Sequence, residues 1–303
     1  MGSTFHFCSS RFSIIAIFAV ILTFCTCAPK KPHAAAGSRV FTDDIGRRVE
    51  VPEKIDKLVS LAPNLTEIIF AVQGGERLVG VTTFCNYPEQ ALAIRKVSDT
   101  QKPNIESIVA LHPQVVFVST ASQLEAFMKT LDEQGIAVFV TSPNSIEDVF
   151  KSITSIGSII GNSEEADAVV RDLERRVSAI GRRGTRAPKV FVQIDKEALY
   201  TVGSGSYITD LIARAGGVSA TAGLSTAYPK ISKESALAMN PDVIIVSESD
   251  GNREPNEAFR NSPAVRNGRV YYINADLLSR PGPRVVDALE QIAEKLGGPI
   301  EGT

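Results

Sequence analysis

One phrase occurs twice in this chain. Glu106 to Ser119 reads ESIVALHPQVVFVS, and Glu234 to Ser247 reads ESALAMNPDVIIVS. Aligned without gaps, Glu, Ser, Ala, Pro, two Val and Ser coincide, and most of the remaining pairs are apolar for apolar. Each copy reads as a short helix, a Pro turn and a strand whose continuous β-branched run suits burial on both faces of a parallel sheet. A chain built on this unit is constrained to two α/β halves. The architecture explains the apolar and Pro positions. It leaves the leading glutamates, Glu106 and Glu234, unexplained, because a helix start tolerates an acid through its dipole without requiring one.

The rest of the chain fits the same plan. VFTDDIGRRVEVP (Val40 to Pro52) alternates around a turn at Asp44-Ile45-Gly46 and predicts a hairpin. Apolar runs at 58–61, 78–81, 115–118 and 138–140 predict buried strands, with helices over 66–72, from an Asn104 N-cap, and over 122–134. A helix over 146–160 is followed by a long one from Asn162 to about Gly181, whose stripe is Ala166, Val169, Leu173, Val177 and Ile180. Strands return at 190–194, 243–246 and 270–273, and an amphipathic helix closes the chain. The expected fold is α/β: two doubly wound lobes (39–160 and 185–303) joined by one long rigid helix (161–184), with a ligand cleft between them.

The N-terminus reads as an export signal over 1–27. FSIIAIFAVILTF (Phe12 to Phe24) is too short to span a bilayer core of about 30 Å, but suits the hydrophobic region of a secretory signal. The following CTCAPKKP suggests cleavage before a cysteine that takes lipid. Thr26 before Cys27 favours Cys27, with Cys25, behind the bulkier Phe24, as the alternative; an ordinary cleaved signal and a soluble mature chain is the other reading. Residues 28–38 read as a flexible tether. Of the four cysteines only Cys85 lies well inside the mature chain, so stability has to come from the core.

Several chemistries are poorly supported. A net charge of −2 offers no basic footprint for nucleic acid. Beyond the signal only His33 and His112 remain as histidines, too few for a His-based metal centre. Gly203-Ser204-Gly205-Ser206 lacks the Lys-Ser/Thr ending of a phosphate loop and the third glycine of a dinucleotide fingerprint, and reads better as a tight turn lining a cleft. A nucleotide-using α/β enzyme, with its nucleotide near that turn, and a surface adhesive module stay as weaker alternatives to a binding protein.

From Val40 onward the chain resembles the solute-binding proteins of ABC importers, in the subgroup with a single bridging helix that serves cobalamin, haem and ferric siderophores. KLVSLAPNLTEIIFAVQGGERLVGVTTFCNYPEQA is the strongest match. KVSDTQKPNIESIVALHPQVVFVS, YPKISKESALAMNPDVIIVS and NADLLSRPGPRVVDALEQIA complete it in order. Within the subgroup it is most similar to the cobalamin-binding branch. The resemblance implies a monomer that carries no cofactor and performs no catalysis. It holds cobalamin or a related corrinoid and delivers it to a dimeric membrane permease, from the periplasmic face of a membrane to which lipid ties it. It further implies that Glu106 and Glu234 dock on the permease, and that Phe84, Thr100, Tyr200, Tyr228, Asp276 and Arg280 contact the ligand. Thr100 stands in VSDTQ where that branch often carries Trp, and the chain has no Trp at all. A ferric siderophore or haem is the alternative cargo.

Overall fold

Short β-branched runs bounded by Gly, Pro and Asn form the strands. The computed structural model describes residues 37–99, 104–119, 125–180 and 187–297. The expected export signal, Cys25, Cys27, the tether up to Ala36, and Thr100 lie outside these. Strands β1 (Ser38–Thr42) and β2 (Arg48–Pro52) form the antiparallel hairpin expected from the alternation. Its turn carries Gly46 at φ 80°, a left-handed position that suits glycine.

The first lobe is a five-stranded sheet of β3 (Leu58–Ser60), β4 (Leu78–Thr82), β5 (Lys96–Ser98), β6 (Val115–Ser119) and β7 (Ala137–Thr141). Its order is β5-β4-β3-β6-β7, and every pair is parallel. Around it lie α1 (Pro63–Ala71), α2 (Ile105–Val109) and α3 (Glu125–Glu133). The second lobe orders its strands β11-β10-β8-β9, again all parallel. These are β8 (Lys189–Gln193), β9 (Val218–Ser219), β10 (Val243–Glu248) and β11 (Val270–Asn274). Its helices are α6 (Tyr207–Arg214), α7 (Lys233–Met239), α8 (Pro263–Arg266), α9 (Ala275–Ser279) and α10 (Val285–Gly297). The short edge strands β5 and β9 do not stand out in the sequence. Two or three residues cannot display a period.

The strand order reverses between β3 and β6 in one lobe and between β8 and β10 in the other. Such reversals open a crevice at the carboxyl ends of the strands. Between the lobes run α4 (Ile146–Ile160) and α5 (Ser163–Ala179), turned about Gly161 at φ 82°. The two pack closely at Gly157, where an added Cβ would stand 2.3 Å from that of Ala166. Helix α5 joins the lobes and α4 backs it. Along α5, Arg176 holds Asp287 and Glu290 of α10, each at 2.6 Å, while at the start of α4 the Ile146 N–H donates to Asp210 of α6 at 3.0 Å. One apolar core continues from Leu65 and Ile69 through Ile153, Ile156 and Leu173 to Ile208 and Leu289. Burying each such side chain stabilises by about 1.5–3 kcal/mol, so separating the lobes would disrupt a common core. The joint is stiff for that reason.

The repeated phrase folds the same way twice. Asn104 Oδ1 accepts from the Ser107 N–H at 2.9 Å, and Ser232 Oγ accepts from the Ser235 N–H at 3.1 Å. In each copy the residue before the proline is left-handed, His112 at φ 51° and Asn240 at φ 45°; Asn240 caps α7 directly, whereas His112 follows α2 after Ala110 and Leu111. His and Asn are among the side chains that tolerate this region. His112 thus has a backbone role, and it is exposed.

Candidate ligand cleft

The carboxyl ends of both sheets face one cavity of about 710 Å³. Leu61 and Ala62 reach it from the end of β3, Ser119 from β6, and Ser142 to Asn144 from beyond β7. The second lobe supplies Ile194, Gly205 to Tyr207, Ala227, Tyr228, Asp276 and Arg280. The lining is mainly apolar with a few polar groups, the usual character of a small-molecule site.

Of the residues expected here from sequence, Phe84, Tyr228, Asp276 and Arg280 line the cavity. Phe84 and Tyr228 are 54% and 43% exposed, so both leave aromatic surface free for a planar ligand. The Tyr228 hydroxyl is nonetheless tucked beside Ser206 and Tyr207, and burial raises its pKa above the usual tyrosine value. Behind it Tyr207 is buried and donates to the Leu278 carbonyl at 2.7 Å; burial pushes its pKa well above that of a free tyrosine. Tyr200 is not part of the cavity lining. Its backbone bridges Asp195 and Lys230, which places its ring on exposed surface. Thr100 falls outside the described residues. Cys85 is buried, its thiol 3.1 Å from the Thr66 hydroxyl and 3.2 Å from that of Thr82.

The Gly203 to Ser206 turn lies against the segment 224–227. A Cβ on Gly203 would approach the Thr226 and Leu224 carbonyls to 2.1 and 2.4 Å. Only glycine permits that approach, which accounts for the Gly-Ser pattern without a phosphate. Among the described residues, no group of three His, Cys, Asp or Glu is placed to hold a metal ion.

Asp276 and Arg280 line the cavity, and behind them a charged cluster crosses between lobes. Glu67 of α1 is 2% exposed at its side chain and receives a fork from Arg284, with Nε to Oε2 at 2.9 Å and a terminal nitrogen to Oε1 at 2.6 Å. Arg280 donates to Glu67 Oε1 at 3.1 Å, Asn86 Oδ1 at 2.8 Å and the Phe84 carbonyl at 3.4 Å, and lies 2.7 Å from Asp276 Oδ1. The Arg284 guanidinium also sits 4.0 Å from the Tyr87 ring centroid, and its pKa is raised first by the Glu67 hydrogen bonds. Glu67, Asn86 and Arg284 did not emerge from the sequence reading. A signal was present: Glu67 is the lone charge in α1, and a carboxylate in a helix this largely buried needs a partner.

A helix that precedes a parallel strand begins at the end of the sheet where the preceding strand finishes. The starts of α2 and α7, with Glu106 and Glu234 second in each helix, therefore belong to the same end of their sheets as the cleft. Both glutamates are exposed. The pKa of Glu234 is lowered, first by its own backbone N–H and then by the Ser232 hydroxyl.

The family model described as periplasmic binding protein matches residues 58–277, from β3 into α9, and so takes in both parallel sheets and most of the cavity lining. This chain belongs to the periplasmic binding protein family. It is a binding protein rather than an enzyme. A crystal structure of the periplasmic vitamin B12-binding protein BtuF of Vibrio cholerae is similar at TM-score 0.71 and 28% identity, over 80% of this chain and 96% of that one. The periplasmic haem-binding protein RhuT from Roseiflexus sp. RS-1, in apo form, is similar at TM-score 0.71 and 25% identity, over 80% and 97%. The uncharacterized ABC transporter substrate-binding lipoprotein YvrC of Bacillus subtilis (strain 168) is 29% identical over 269 residues, 85% of each chain. The cleft itself presents two exposed aromatic rings, Phe84 and Tyr228, and the Asp276–Arg280 pair.

Proposed function

We propose that this protein captures cobalamin or a related corrinoid between its lobes and delivers it to an ABC importer. The observation that carries the reading is the cleft, with Phe84 and Tyr228 presenting exposed rings above the Asp276–Arg280 floor. A corrin is a broad, partly apolar disc fringed with amides, and such a ligand is held by flat aromatic contact plus a few polar anchors. Thr100 and Tyr200 complete the proposed contact set. Glu106 and Glu234 act as two docking feet, one per lobe, on a twofold-symmetric permease; charges in such places govern register and encounter more than bulk affinity. The receptor works as a monomer at the periplasmic face, tied to the membrane by lipid on Cys27 or Cys25, with residues 39–160 and 185–303 as its lobes and 161–184 as their link.

Titration of the purified mature protein with cyanocobalamin, haem and ferric siderophores tests the cargo. Cyanocobalamin is expected to bind with a Kd below about 1 μM, equivalent to roughly −8 kcal/mol. Failure to do so while haem or a siderophore binds would transfer the assignment to that ligand. Metabolic fatty-acid labelling tests the anchor: Cys27→Ala should abolish incorporation, whereas loss only in Cys25→Ala would move the lipid to Cys25.

A further inference from the structure

We propose that Glu67 sets the ligand class of this cleft by neutralising its arginine, Arg280, so that the receptor selects an uncharged, amide-bearing ligand over a carboxylate-bearing one. The inference rests on the reading of the cavity as the ligand site. Among the described residues lining it, Arg280 is the one cation. An arginine on a cleft floor would ordinarily recruit carboxylates through its paired N–H groups. Here one terminal nitrogen serves Glu67 and Asn86, and the other serves the Phe84 carbonyl and Asp276. Both ends of the fork are occupied by protein, and the side chain is only 10% exposed.

The charges balance as well. Glu67 and Asp276 offset Arg280 and Arg284, so the cluster carries no net charge. What faces the ligand is the Asp276 carboxylate, 43% exposed, with the Asn86 amide beside it at 3.4 Å. This floor accepts hydrogen bonds from amide NH2 groups and repels carboxylates. Glu67 need not touch the ligand to produce that result. It is a positioning residue: it withdraws Arg280 toward α1 and cancels a charge that would otherwise reach the cavity at low dielectric.

The test compares haem, which carries two propionates, with its dimethyl ester, which lacks their charge, and uses Glu67→Gln and Glu67→Asp. In the wild type the diester should bind at least as tightly as the diacid. In Glu67→Gln the diacid should gain about tenfold or more, and that gain should weaken as salt rises, while the diester moves less than threefold. Glu67→Asp keeps the charge and should show no gain. A wild type that prefers the diacid tenfold overturns the proposal without recourse to any variant. So does an equal change for diacid and diester in Glu67→Gln, which would indicate a shape effect. Cyanocobalamin is absent from this comparison, so failure of the corrinoid assignment and failure of the Glu67 proposal are read separately.

Discussion

The two copies of the repeated phrase share a backbone but not a neighbourhood. In both, a polar cap accepts from the third helical N–H, a glutamate follows at the second position, and a left-handed residue stands before the proline that follows the helix. In the first lobe α2 packs against α3, and Val109 is partly covered. In the second lobe the matching residue, Leu237, is 58% exposed, and the helix is tied instead through Lys233 to Glu257 at 2.7 Å. The comparison separates what is local from what is not. Cap, charge and terminator are encoded within the phrase; the cover on the outer face is supplied by whichever element comes next in each lobe.

The largest expected effect breaks the proposed symmetry of the feet. Glu106→Lys with Glu234→Lys should abolish uptake in cells while ligand affinity of the purified protein stays within about twofold, since exposed rim charges act on the partner rather than on the core. Equal loss of binding and uptake would show that the glutamates serve the fold. The pKa of Glu234 is lowered, so its charge persists through the ordinary glutamate range as pH falls. Docking measured by permease-stimulated ATP hydrolysis should accordingly be flat from pH 7 to 5 and weaken only below that range. Next in size is the helix terminator: His112→Val and Asn240→Val should each destabilise by about 1–2 kcal/mol in denaturant melts, because a β-branched side chain fits the left-handed region poorly, whereas the glycine variants should be neutral or better. The caps follow, with Asn104→Ala and Ser232→Ala each costing about 1 kcal/mol, read as a fall in Tm of about 2–4 °C. Smallest is the outer face: Leu237→Ser should stay within about 0.5 kcal/mol of wild type, as exposed substitutions do, while Val109→Ser should cost more. Equal effects would mean that Leu237 is covered in solution.

Much of the frame was legible because it depends on local rules. The runs VVFVS and VIIVS, the Ile146 to Ile160 helix and the Asp44 to Gly46 turn all follow from period, capping and turn residues. Helix α1 begins at Pro63 rather than near Thr66, since proline suits the first helical position and its missing N–H costs nothing there. Phe84 and Asp276 stand just past the ends of β4 and β11, where a doubly wound sheet delivers them, while Arg280 follows α9 and Tyr228 lies in the long segment between β9 and α7. Tyr200 does not line the cavity; its backbone bridges Asp195 and Lys230, and it is exposed. Glu67 and Arg284 were missed for a different reason. Their partnership joins the first lobe to the last helix, and no period or spacing in a single sequence reports a contact between such distant segments.

The placement of the helix starts has a consequence for how a bound ligand leaves. Glu106 and Glu234 belong to the same end of the sheets as the cavity, so a partner seated on both spans its mouth. Under the proposed docking, the permease becomes the stopper of a vessel whose lining runs from Leu61 to Pro281. On that same reading, emptying and undocking are two events at one opening, between lobes that α4 and α5 hold together.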